Sequence, residues 1–169
     1  MPLESNPFAI LTFIAAPAIL TNAASLLALG TSNRFARNVD RARVLIASLT
    51  EGGKASDDER AHFRRLLARN ERRAELLVRA MSSFYFAIGC FAAGSLSSLV
   101  GAIVAPLGRP QISNPVLVLA LVTGVGGLGG LIVGGGLLVR ETRLAMETLR
   151  DEASFYREQY ARVHGAPPH

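Results

Sequence analysis

Residues 115–139 read PVLVLALVTGVGGLGGLIVGGGLLV, 25 positions without one ionisable side chain. A helix rises 1.5 Å per residue, so about 20 residues cross the roughly 30 Å hydrocarbon core of a bilayer, and this stretch is long enough to span it. Two further runs qualify: Phe8 to Gly30 holds 23 uncharged residues and Ala80 to Leu107 holds 28. Hydrocarbon offers the backbone no water to bond to, which makes all three helical. In a water-soluble core, three such runs within 169 residues would leave too little amphipathic helix to cover them. A hydrophobic share of 50% also excludes a disordered chain, which needs low hydrophobicity together with high net charge. The expected fold class is therefore all-α. It consists of three transmembrane helices with cytoplasmic helical extensions, packed as a bundle in a homo-oligomeric ring, with residues 1–169 forming a single membrane domain.

The placement of charge gives a direction. Of the 18 Lys and Arg residues, twelve lie between Thr31 and Arg79 and five lie from Arg140 onward; the turn after Leu107 has only Arg109 and the first seven residues have none. The positive-inside bias puts the N-terminus outside and the C-terminus in the cytoplasm, as expected for a multi-pass protein of a bacterial inner membrane. This asymmetry accounts for the net charge of +5, and no nucleic-acid partner is expected. Phe8 to Gly30 is longer than the apolar core of a signal peptide and is preceded by Glu4 rather than a basic region, so it reads as a retained helix. The single cysteine, Cys90, has no partner for an internal disulfide and reads as an inert thiol.

Outside the three spans the hydrophobic pattern changes to heptads. Over 33–49, Phe35, Val39, Ala42, Ile46 and Leu49 recur at steps of 4 and 3 and predict a cytoplasmic helix with a narrow seam. Glu51-Gly52-Gly53-Lys54 interrupts it, and Ser56 with Glu59 forms a capping signature for a second helix over 57–79. Phe63, Leu66, Leu67, Asn70, Ala74, Leu77 and Val78 fall on one side of that helix, and six arginines spread over the rest. No breaker separates it from the second span, so Asp57 to Leu107 is expected as one rod. A tail helix over 140–163 carries Leu149, Ala153, Tyr156, Tyr160 and Val163 at the same steps. Narrow seams suit packing within the chain and packing between copies, and both are expected. Asn70, at a seam position, reads as a residue that fixes register. The arginine-rich helix reads as a solvated face touching lipid headgroups or as a docking surface for an acidic protein partner.

Motifs suggestive of chemistry are few. Gly124-Val125-Gly126-Gly127-Leu128-Gly129 matches the dinucleotide-binding string, but the string works only between a strand and a helix, and here it lies inside an apolar span. Gly126, Gly130 and Gly134 instead form a four-residue zipper, and Ala93, Ser97, Gly101 and Ala105 repeat the step in the second span. Small residues at that step let two helices pack closely. The spans hold no Asp, Glu, Lys, Arg or His. Among their polar residues, Thr21 and Ser25 can bond to carbonyls of their own helix. Asn22 cannot satisfy its amide that way and is expected to face another helix or a wet lumen, where a ring of amides would line a pore. His62, His164 and His169 are scattered and there is no cysteine pair, so no enzyme, cofactor or metal is expected.

Pro17-Ala18-Ile19-Leu20, Ser25-Leu26-Leu27, Thr31-Ser32-Asn33-Arg34, Arg37, Val39-Asp40-Arg41 and Arg43 stand near one end of the chain. Arg140-Glu141, Arg143-Leu144-Ala145 and Leu149 stand near the other. Together they resemble the signature of a bacterial membrane family catalogued as domain of unknown function 2721. The resemblance covers nearly the whole chain and implies a three-span layout but no activity. It also points to a charged collar at the cytoplasmic boundary, made of Asn33, Arg34, Asp40, Arg41 and Arg43 with Arg140, Glu141 and Arg143, in which arginines partner Asp40 and Glu141. Such a collar fixes geometry, or in an oligomer selects ions at a pore mouth. The order of spans and helical segments is similar to that of the TolQ and ExbB subunits of proton-driven motors, an analogy that suggests a pentamer. Two functions follow as expectations. One is a homo-oligomer that conducts ions or houses a partner helix. The other is a non-conducting scaffold that binds partners or lipids through its arginine-rich helices.

Overall fold

The computed structural model describes residues 7–51, 57–104 and 110–164. They form three helices, α1 (Pro7–Glu51), α2 (Asp57–Val104) and α3 (Pro110–His164). Each is long and apolar enough to cross a membrane by length and composition. In their most apolar windows only 17%, 28% and 17% is buried within the chain, so most of the apolar surface of these segments faces outward. Three candidate membrane-spanning helices are the pattern of a multi-pass membrane protein.

The first and third spans run on into their extensions without a break. The first span and the helix over 33–49 are one helix, because Thr31-Ser32-Asn33 contains no breaker and the Thr31 hydroxyl donates to the Leu27 carbonyl at 2.7 Å. The third span and the tail are likewise one helix, which starts at Pro110, five residues before the expected boundary. Proline is tolerated in a first turn, where its missing N–H has no intrahelical acceptor, and Pro115 follows it inside α3. The expected rod from Asp57 is a single helix as far as Val104. The breaker at 52–54, the Ser56 cap, Ala105 to Arg109 and the residues after His164 lie outside the described residues.

The chain divides into two compact units. The first comprises Met1–Asn33 and Arg79–Gly136, and its described residues form a three-helix bundle. Ala24 of α1 with Ala87 and Phe91 of α2 make its core, flanked by Leu20, Ile88 and Leu131. On α2 the buried positions Ala80, Phe84, Ala87, Phe91, Gly94 and Ser98 recur again at steps of 4 and 3, with Ser97 buried beside the last of them. Knobs at that spacing pack into the facing helix in coiled-coil fashion. α3 runs antiparallel to α2 here, since Gly134 lies against Phe84, Gly127 against Phe91 and Gly101 against Val116.

The second unit comprises Arg34–Val78 and Leu137–His169. The seam of α2 is largely the expected one, with Leu66, Asn70 and Leu77 buried, whereas those of α1 and α3 differ. On α1, Asn38 and Leu45 are buried, Phe35 and Ala42 are half-buried, and Ile46 is 51% exposed; the side chain of Leu49 lies outside the described residues. On α3, Glu141 and Thr148 are buried while Leu149, Ala153, Tyr156 and Tyr160 are exposed; the side chain of Val163 is outside the described residues. Periodicity detects an apolar stripe but not the surface that covers it. Here polar pairing occupies the interface within the chain and leaves the apolar stripe of α3 facing outward.

Candidate functional site

The polar seam of the second unit is built from all three helices. Asn38 of α1 and Asn70 of α2 are each 5% exposed and clasp each other: the Asn38 Nδ2 donates to the Asn70 carbonyl at 3.0 Å and the Asn70 Nδ2 to the Asn38 carbonyl at 2.9 Å. Their Oδ1 atoms are buried without a partner among the described residues. The reciprocal bond sets one register between the two helices, the role expected of Asn70, and its partner Asn38 was not foreseen. A polar residue at a seam position signals such a clasp only once the facing position is known.

Glu141 of α3 is the most buried charge of the unit, its side chain 4% exposed. Arg73 of α2, 19% exposed, donates to Glu141 Oε1 through Nε at 3.0 Å and Nη2 at 2.7 Å. Arg34 of α1 approaches the other carboxylate oxygen at 3.6 Å and donates to the Thr142 hydroxyl at 3.4 Å. Two further ion pairs tie α3 to its neighbours, Arg41 with Glu152 and Arg69 with Asp151. Four arginines thus meet three carboxylates across helix interfaces. Arg73 escaped the sequence reading because it was grouped with the solvated arginines. Its signal was its place in the seam Leu66, Asn70, Arg73, Leu77, at steps of 4, 3 and 4.

Of the expected collar, then, Arg34, Arg41 and Glu141 take part in pairs between helices. Asp40 pairs with Arg43 on its own helix at 3.6 Å, and both are exposed. Asn33, Arg140 and Arg143 are exposed. Beside Glu141 opens a cleft of about 370 Å³, lined by Arg34, Arg37, Arg41 and Arg73 with Asn38, Glu141 and Thr142. Further along the unit, His62 stacks on the Phe155 ring with centroids 3.9 Å apart. Burial against that ring and the nearby Arg65 hold its pKa below the ordinary 6.5, and Glu152 partly opposes them.

The other expected residues lie in the first unit. Thr21 donates to the Pro17 carbonyl and Ser25 to the Thr21 carbonyl, each at 2.8 Å, so both hydroxyls are satisfied on their own helix. Asn22 is exposed and makes no side-chain hydrogen bond among the described residues. Ser97 is buried and donates to the Ala93 carbonyl at 2.8 Å. The close approach along α3 falls at Gly127, Gly130 and Gly134 rather than at Gly126, Gly130 and Gly134. A Cβ on Gly127 would lie 2.5 Å from the Phe91 ring, one on Gly134 2.5 Å from the Phe84 ring, and one on Gly130 2.9 Å from the Ser83 carbonyl. Gly126 would meet only Cys90 Sγ at 3.5 Å. Phenyl rings on α2 fill the notches, which follow the heptad step because the packing is antiparallel and coiled-coil-like. No group of His, Cys, Asp and Glu among the described residues has the arrangement of a metal site.

A family model described as Protein of unknown function (DUF2721) matches residues 14–151, and the chain belongs to that family. No curated protein and no solved structure matches the chain.

Proposed function

Taking membership of the DUF2721 family as the premise, we propose that this multi-pass membrane protein is a homo-oligomeric, non-conducting scaffold. The observation that carries the reading is the outward stripe of α3. Met146, Leu149, Ala153, Tyr156 and Tyr160 are all exposed, at steps of 3 and 4, beside a seam of partly buried ion pairs. The segment holding them also carries Arg143, Arg150 and Arg157, a density of charge that belongs in the headgroup layer and the water beyond rather than in hydrocarbon. A heptad stripe in water is covered by another helix, and copies held in one membrane orientation bring the same stripe to each other. The basic residues flanking the spans favour a cytoplasmic position for this part. The scaffold would present arginine-rich helices to lipids or to an acidic protein.

Mass photometry of the protein in detergent or nanodiscs tests this. The expected result is a defined oligomer that falls to monomer in Leu149→Glu and Tyr156→Glu. A monomeric wild-type protein overturns the proposal.

One observation supports a second reading, a conducting ring. Asn22 presents an amide on an otherwise apolar exposed face, the arrangement of a pore-lining residue. Planar-bilayer recording separates the two: a conductance altered by Asn22→Leu selects the pore, and a silent bilayer selects the scaffold.

A further inference from the structure

From the cleft beside Glu141 we infer a binding site for a phosphate group, carried by a phospholipid or free in solution. The inference concerns a single copy of the chain and stands whether or not copies assemble. Four guanidinium groups line the cleft against one carboxylate, a formal excess of +3, or +2 when Glu152, the partner of Arg41, is included. These charges are not equally committed. Arg73 is fixed by two hydrogen bonds to Glu141, and Arg41 is held by Glu152. Arg34 has only the 3.6 Å approach to Glu141 and a 3.4 Å bond to Thr142. Arg37 has neither an ion pair nor a hydrogen bond among the described residues.

Arg34 and Arg37 stand one turn apart on α1, where like charges repel. Both line the same cleft, so one dianion between them would remove that repulsion and satisfy the excess of +2. A phosphate fits better than a carboxylate. It carries up to two charges and three or more acceptor oxygens, and guanidinium forks bind it through paired hydrogen bonds. The floor is built to hold its shape, because the Asn38–Asn70 clasp and the Arg73–Glu141 pair join α1, α2 and α3 around it. Arg34 also follows the uncharged run ending at Gly30 by four residues, about 6 Å of helix, which is headgroup depth if that run spans the bilayer.

The test uses the full chain purified in detergent with two probes: inorganic phosphate, followed by thermal shift, and phosphatidic acid, a phosphomonoester lipid, against phosphatidylcholine, followed by native mass spectrometry. The variants are Arg37→Gln, the pair Arg34→Gln with Arg37→Gln, and Arg143→Gln, an exposed arginine outside the cleft, as control. Both cleft positions are exposed and weakly held, so the variants should fold, and far-ultraviolet circular dichroism checks this. Binding of at least one probe is expected to weaken on the order of tenfold for each guanidinium removed, with no change in Arg143→Gln. Selective loss of phosphatidic acid identifies a lipid ligand, and loss of inorganic phosphate a free one. If neither probe binds, or the cleft variants bind as the control does, the site does not exist.

Discussion

In the first unit apolar side chains fill the interior and cover the outside, with Phe84 and Phe91 seated on glycines and Leu26, Leu121 and Ile132 exposed. In the second, the Asn38–Asn70 clasp and the Arg73–Glu141 pair share the interior with Leu45, Leu66 and Leu77, and part of the apolar surface is turned outward. Both units use heptad spacing and three helices, yet they are held by different forces. Where lipid is the solvent, burying a leucine gains little over leaving it exposed, so helices associate through close contact, and glycine notches supply it. Where water is the solvent, any apolar face drives association, and pairs between charged groups can be placed inside to set register. With the first unit in lipid and the second in water, as proposed above, an outward stripe has opposite meanings in the two: in the first it is satisfied by lipid, in the second it calls for another helix.

Replacing Glu141 with Ala should break this contrast most severely. It leaves Arg73 largely buried without a counter-charge, and unfolding in detergent should show a loss of about 3–5 kcal/mol. Gly130→Ala in the first unit is next, at about 1–3 kcal/mol, because its Cβ would meet the Ser83 backbone, which cannot turn aside. The neighbouring Gly129 has nothing within 4 Å of its Cβ position, so Gly129→Ala should be neutral or stabilising by about 0.5–1 kcal/mol through helix propensity. Equal losses at both glycines would show that α2 and α3 do not pack as described. Asn70→Leu should cost about 0.5–1.5 kcal/mol by removing the bond from its Nδ2 to the Asn38 backbone carbonyl, and Asn38→Leu, which removes the reciprocal bond to the backbone carbonyl of Asn70, should cost a similar amount.

The smallest effect concerns pH. The pKa of His62 is depressed in the folded protein, so the unfolded chain binds the proton more readily. Its contribution to stability is present above the unfolded value of 6.5 and declines as the pH falls through and below it. The thermal midpoint of the wild type should therefore drop between pH 7.5 and pH 5 by more than that of His62→Phe, which keeps the stacking on Phe155. An identical drop in both proteins would remove His62 from the account.

Much of the fold was legible because its signals are one-dimensional. The three uncharged runs mark the candidate spans, and the Gly-Gly pair at 52–53 follows directly on the end of α1 at Glu51. The junctions at 31–33 and 140 were harder: a change from apolar to charged residues resembles a boundary, yet helical hydrogen bonds are indifferent to it. The glycine register was misread by one position at Gly126 for a related reason. A four-residue step is the usual mark of tight packing, and choosing Gly127 over Gly126 requires knowing where the Phe91 ring lies. Arg73 and Arg37 show the same limit. Nothing in their neighbourhood along the chain distinguishes the arginine that clamps Glu141 from the one left uncommitted at the rim of the cleft.

The sequence by itself determined that this chain is all-helical, that three segments suit hydrocarbon and where charge gathers, because length, hydropathy and breakers act locally along the backbone. Only the tertiary structure decided which face of each helix turns inward, that Asn38 and Asn70 clasp, and that Glu141 lies between Arg73 and Arg34. Those outcomes depend on the register between helices distant in sequence. Register is set by the sum of many side-chain contacts, each too weak to be read from one strand of sequence alone.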